Sequence, residues 1–209
     1  MSGTSRWVTK TSRSRNDLYD QKRAFQHWLR DNQVYFITAC CREHFPAFAS
    51  ERAKHVFWDR FDHWTSRFGY TPFVTSLLDN HYHTLGYLRT GANLPIMMQR
   101  LHGSIAKLVN DLLPERRPAF WRDRPKGQEY FDGCIRDETQ CRRAYRYTLL
   151  QAVRSGIVSD WRDYPHTRVN VELDRAVQRA LQLGAFLHGV PYRRYDQRRN
   201  GCRPDHARE

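Results

Sequence analysis

Two imidazoles flank one tyrosine in LLDNHYHTL, residues 77–85, at His81 and His83. In an extended strand alternate side chains point to the same face, so this spacing brings both rings within reach of one ligand. Neutral imidazole is a common donor to divalent metals. Taken alone the pair also fits hydrogen-bonded surface histidines, because ten histidines are scattered through the chain. Other groups must converge on it before it can do chemistry. The helical stretch DETQCRRAYRYTLLQAVRSG, residues 137–156, supplies candidates. At 100° per residue Cys141, Tyr145, Thr148, Leu149 and Ala152 share one stripe, predicted to face a sheet. Tyr147 and Gln151 fall outside it, one turn apart, on a flank also occupied by Arg143 and Arg154. A phenol, an amide and two guanidiniums then share one surface. By itself Tyr147 also fits a half-buried packing tyrosine.

The elements that must position these groups are legible. QVYFITACC (33–41) is rich in β-branched and aromatic residues and predicts a strand. A helix follows over 51–68, with Ser50 as N-cap and Gly69 as its end. YTPFVTSLL and HYHTLGYL read as a hairpin turning at Asp79-Asn80. A second amphipathic helix buries Leu94, Met97, Met98, Leu101, Ile105, Leu108 and Leu112, and Pro114 stops it. A loop rich in Arg, Pro and Trp leads to a short strand around EYFDGCIR. The third helix runs from an N-cap at Asp137 to about Arg154, with Gly156 as its stop. One more helix is expected within 171–187, and a short one around Leu18–Leu29. The order β-α-β-β-α-β-α predicts an α+β fold of ferredoxin-like type, an antiparallel sheet with helices packed on one face. Residues 1–30 read as a basic N-terminal extension, 31–168 as the domain carrying the candidate site, and 169–209 as a C-terminal helix with a basic tail.

Lysine plus arginine outnumber aspartate plus glutamate by 35 to 22, for a formal charge of +13 and a pI near 9.9. That excess favours a polyanionic partner. Arginine supplies thirty of the 35 cations, and its planar fork suits phosphates and bases. A GC-rich genome would also enrich arginine over lysine, but would not produce the net charge. No apolar run approaches the roughly 20 residues of a membrane-spanning helix, and the basic start of the chain is no secretory signal. No membrane partner and a cytoplasmic location are the expectations. The five cysteines lack CxxC spacing and are expected to be reduced.

His-hydrophobic-His on a strand, followed some sixty residues later by a helical tyrosine with an amide four positions on, resembles the HUH single-tyrosine transposases of small bacterial insertion sequences. Among these it is most similar to their domesticated relatives, the REP-associated tyrosine transposases. The resemblance runs from about Val34 to His166. DNHYHTL stands where that family has Pro-Asn-His-hydrophobic-His. FWRDRPKGQEYFDGCIRDE resembles its Trp-Gln … Phe/Tyr … Asp-His … Leu-Arg segment. YTLLQAVRSGIVSDWRDYPHT resembles its Tyr-Ile … Asn-Pro-Val-Arg-Ala-Gly-Leu-Val … Trp-Pro-Ser stretch. The departures are Asp79 for proline, Gln151-Ala152 for Asn-Pro, Gly133 for a frequent histidine, and a longer loop between Trp121 and Tyr130.

The resemblance implies an HUH endonuclease-type fold and a metal-dependent DNA nuclease and strand transferase. Tyr147 would be the nucleophile, forming a 5′-phosphotyrosine link and a free 3′-OH. His81, His83 and the Gln151 amide oxygen would hold Mg²⁺ or Mn²⁺ with positions left for water and phosphate. Arg143, Arg154, Arg122, Arg124 and Arg136 would contact single-stranded or hairpin DNA. Monomer and homodimer are both compatible with the sequence. Two other readings stay open: a domesticated protein that grips hairpin DNA without cutting it, and an interaction protein whose histidines are surface residues.

Overall fold

The computed structural model describes residues 29–122 and 129–187. The helix expected from Leu18 lies almost wholly outside them. Strand β1 (Gln33–Cys40) is buried along all eight residues, as befits a central strand covered on both faces. Helix α1 (Glu51–Phe68) begins where Ser50 Oγ accepts the Ala53 N–H at 3.2 Å. It ends where Gly69 takes the left-handed conformation, φ 71°, that a side chain disfavours. Strands β2 (Tyr70–Leu77) and β3 (His81–Leu88) form the expected hairpin. Helix α2 (Asn93–Asn110), strand β4 (Tyr130–Cys134), helices α3 (Glu138–Leu149) and α4 (Gln151–Arg154), strand β5 (Thr167–Val169) and helix α5 (Leu173–Gln182) follow.

The strands lie in the order β4-β1-β3-β2-β5, every neighbouring pair antiparallel. The first four, with α1 and α2, make the expected ferredoxin-like α+β unit. Alternation along β1 divides its side chains between two cores. Tyr35, Ile37 and Ala39 join Phe57, Phe61, Tyr82, Met97 and Leu101 under α1 and α2. Val34 and Phe36 join Leu85, Cys141, Tyr145, Ala176 and Val177 under α3 and α5. Helices on one face therefore describe α1 and α2, while α3 and α5 cover the other. Full burial of each large apolar side chain contributes about 1.5–3 kcal/mol, so both layers bind the sheet strongly. A bulge between Pro72 and Val74 shifts the register of β2. It lets Tyr70 and Leu77 both face the first core although their parity differs.

Two stripes differ from expectation. In α2, Leu108 is exposed, while His102 and Val109 are buried beside Leu94, Met97, Met98, Leu101 and Ile105. The ridge 98-102-105-109 points inward because His102 is satisfied there, by Tyr82 at 3.0 Å and Glu129 at 3.1 Å. The helix also ends at Asn110, short of Pro114. The third expected helix is broken in two at Leu150. Among the described residues Cys41, Cys134 and Cys141 are buried free thiols. Among the described residues no helix is long and apolar enough to cross a membrane.

Candidate active site

His81 and His83 share one face of β3, the face that looks toward α3, and Tyr82 between them enters the opposite core. Their rings lie 5.0 Å apart, centroid to centroid, at 79°. His83 pairs in register with Thr38 of β1, and its Nδ1 lies 2.7 Å from Thr38 Oγ1. Phe36, two residues back along β1, stacks on the His83 ring at 5.8 Å. His81 Nδ1 lies 2.6 Å from Asn80 Oδ1. The Asn80 amide is oriented independently, because its Nδ2 donates to the His44 carbonyl at 3.2 Å. Its oxygen therefore faces His81, which must carry its proton on Nδ1 and a lone pair on Nε2.

The partner groups come from the other side of the cleft. Tyr147 on α3 sets its ring 5.1 Å from that of His83, edge-on, and 6.0 Å from Phe36. The Arg154 guanidinium lies 4.9 Å from the Tyr147 ring centroid. Gln151 lies one turn from Tyr147 as expected; although outside the inward stripe it is only 6% exposed, whereas Leu149, expected inside, is only partly buried. The Gln151 Nε2 donates to the Tyr147 carbonyl at 3.2 Å, and its side chain lies beside His81. Cys141, Tyr145, Thr148 and Ala152 form the inward stripe as expected. Asp137 caps α3 through the Gln140 N–H at 2.7 Å. Gly156, φ 68°, closes α4, with the Ile157 N–H donating to Ala152 O at 2.9 Å.

Burial governs the charge state. It pushes His81 down to about 4, with a neighbouring His44 adding to the effect and the Gln151 hydrogen bond opposing it. Burial holds His83 far below the ordinary imidazole range, with smaller contributions from His81 and Arg154. Both rings are neutral at physiological pH, the form that donates to a metal. The residues fit a divalent cation: His83 Nε2 is buried without a hydrogen-bond partner, a costly state for a polar atom that a bound ion would relieve. An amide oxygen is the third available donor. Among the described residues no group of three or more His, Cys, Asp or Glu is placed to hold a metal ion, and the donors gathered here, two imidazoles and an amide, are neutral.

The sequence-expected arginines are not all at this cleft. Arg154 is part of it, and Arg143 is exposed on α3 one turn before Tyr147. Arg122 donates its backbone N–H to the carbonyl of Cys40 at 2.8 Å, the β1 residue that pairs with His81. Arg136 sits at the start of α3, held by Gln140 Oε1 at 2.8 Å through its N–H. Arg124 lies outside the described residues. Sequence reading missed Thr38 and Phe36. A lone hydroxyl inside an apolar strand was the available signal for Thr38. Asn80 was read only as a turn former.

No family model matches the chain, and no curated protein does. Among solved structures, one described as a REP-associated tyrosine transposase bound to a REP hairpin is similar at a TM-score of 0.58 and 13% identity, covering 78% of this chain and 88% of its own. That likeness shows a shared fold. A protein from Deinococcus radiodurans, provisionally described as a transposase, has a TM-score of 0.42 and 12% identity over 56% of this chain and 89% of its own, too loose to argue from.

Proposed function

We propose that this protein is a metal-dependent, single-strand DNA nicking and joining enzyme of the HUH transposase type, acting through a 5′-phosphotyrosine intermediate at hairpin or repeat DNA. The observation that carries the reading is the convergence of two neutral imidazoles from β3 with a tyrosine and an amide from α3 and α4 on one cleft, the Tyr147 ring 5.1 Å from that of His83. Fold likeness to a hairpin-bound transposase and the net charge of +13 support DNA as the partner.

Tyr147 Oη attacks the scissile phosphorus, so that an O–P bond to tyrosine forms while the bond from phosphorus to the 3′-oxygen breaks. The phenolic proton leaves with the attack, and the departing 3′-oxygen takes up a proton as the free 3′-OH. A bound Mg²⁺ or Mn²⁺ would withdraw charge from the phosphate and orient it. His81 and His83 would hold that ion through their Nε2 atoms, and Gln151 through its amide oxygen. Because these donors are neutral, they leave the ion its full charge and favour an anionic substrate. Arg154 adds a fixed positive charge beside Tyr147, where the phosphate must approach.

The test is denaturing electrophoresis of the protein with end-labelled hairpin oligonucleotides in Mg²⁺ or Mn²⁺. DNA migrating with the protein is expected, and should disappear in excess EDTA and in His81→Ala/His83→Ala. Cleavage undiminished by either treatment refutes the metal role. Tight hairpin binding without an adduct in any metal favours a binder that does not cut.

A further inference from the structure

The turn that presents His81 is anchored by a buried cation. Lys54, in the first turn of α1, is 7% exposed, and its ammonium lies 3.1 Å from the Asp79 carboxylate and 3.5 Å from Glu51. Removing an ammonium from water to this degree is unfavourable unless it is paired, and breaking such a pair is more so. A neutral side chain would cover the same space without that cost, so the charge calls for a purpose beyond packing. What it grips is the residue two before His81. Phe48 N–H donates to Asp79 O at 2.8 Å and Cys41 N–H to Asn80 O at 2.7 Å, so the backbone of the turn is held while the Asp79 side chain is tied to α1. Asn80, next in line, bridges the His44 carbonyl and His81 Nδ1.

We infer that Lys54 is a positioning residue. By anchoring Asp79 it keeps the Asn80 amide clamped between His44 and His81, which holds His81 as the Nδ1–H tautomer and keeps a lone pair on its Nε2 for a divalent cation. The inference rests on the reading of His81 as a ligand. Without the anchor the turn keeps only its backbone bonds from Phe48 and Cys41, the Asn80 amide can rotate, and His81 can carry its proton on Nε2, where it blocks coordination. Groups that orient metal-binding imidazoles typically change metal affinity by about 10–100-fold, so loss of Lys54 should weaken Mn²⁺ binding by about tenfold or more.

The experiment compares wild type, Lys54→Met, and Lys54→Met/Asp79→Pro, in which a proline ring restricts the turn in place of the ion pair. Long-range ¹H–¹⁵N spectra of the histidine rings at pH 8 read the tautomers without metal, calorimetry reads Mn²⁺ affinity, and thermal unfolding reads stability. The wild type should show His81 protonated on Nδ1. Lys54→Met should shift the His81 nitrogens toward a tautomer average and weaken Mn²⁺ binding, leaving His83, held by Thr38, unchanged. The double variant should recover the wild-type His81 signals. If Lys54→Met does not fold, Asp79→Ala removes the same link and is read in the same way. A variant that lowers the unfolding temperature but leaves the His81 signals as in wild type overturns the inference, making Lys54 a purely structural pair. If the His81 tautomer responds to Lys54→Met as described but the wild type binds no Mn²⁺, the ligand reading is refuted instead.

Discussion

Thr38→Val tests how His83 is held. The Thr38 hydroxyl lies 2.7 Å from His83 Nδ1, and the two residues are 4% and 2% exposed. Valine preserves the branched shape, so no cavity opens, and the change isolates one hydrogen bond. The other ring nitrogen, Nε2, is already without a partner. Removing the hydroxyl leaves both nitrogens of a buried imidazole unsatisfied, at a cost of about 1–3 kcal/mol. For a chain of this size each kcal/mol corresponds to roughly 2–4 °C, so the unfolding temperature should fall by about 2–12 °C. The ring is also freed to flip or change tautomer, and Mn²⁺ affinity should drop by about 10–100-fold. Thr38→Ser keeps the oxygen and loses only a methyl, so it should lose about 1 kcal/mol or less and retain metal affinity. Thermal unfolding and titration calorimetry on all three proteins decide the matter. If Thr38→Val unfolds and binds Mn²⁺ like the wild type, the bond does not orient His83.

Three further outcomes are expected. Tyr147→Phe should abolish the covalent DNA adduct while the fold survives; Tyr145→Phe, which loses the bond to Val171 O at 2.9 Å, should lose about 0.5–1.5 kcal/mol of stability and keep the adduct. An adduct persisting in Tyr147→Phe would move the nucleophile elsewhere. Burial depresses His102, against the opposing pull of Glu129, so below pH about 6.5 the unfolded chain binds a proton that the native protein resists, and stability present above that pH is lost as it falls. Urea midpoints between pH 7.5 and 5.5 should decline less steeply in His102→Asn, by up to about 1.4 kcal/mol per pH unit, and identical slopes would contradict this. Gly86→Ala places a methyl 2.5 Å from Thr71 O and 2.6 Å from the Tyr70 ring, a collision with backbone that should destabilise by about 1–3 kcal/mol or more; a neutral result in chemical denaturation would show that β2 and Tyr70 yield freely.

What the sequence made legible was what local physics determines. Alternation in HYHTLGYL put His81 and His83 on one face, Ser50 and Gly69 delimited α1, and the element order indicated the ferredoxin-like unit. What escaped depends on which element meets which. Leu108 and Val109 are almost equally apolar, and only the packing of α2 against α1 and the sheet decides which one is buried. The break at Leu150 has no proline or glycine to mark it, so the sequence predicts one regular helix; Gln151 still lies one turn from Tyr147, as its spacing indicates, and only its near-complete burial escapes. Thr38, Asn80 and Lys54 support the histidines across 45, 1 and 27 positions of sequence respectively, and only the bond to the adjacent Asn80 is local.

The accuracy of the site follows from the two cores. On β3 the even residues Tyr82 and Leu88 are committed to the core under α1 and α2, while Leu85 is committed to the core under α3 and α5. A slip of one residue would exchange the faces. It would put the Tyr82 phenol, fully buried and bonded to His102, into the cleft, and would drive both imidazoles into the apolar layer beneath α1. Each core therefore penalises the same error, and the histidine register is specified by residues that never touch the cleft. The bulge near Phe73 can then adjust β2 without disturbing the β1–β3 pairing that sets Thr38 opposite His83. A core substitution such as Tyr82→Phe, on the far face of the sheet, should accordingly act on the cleft only through strand position, loosening His81 and His83 together rather than one of them.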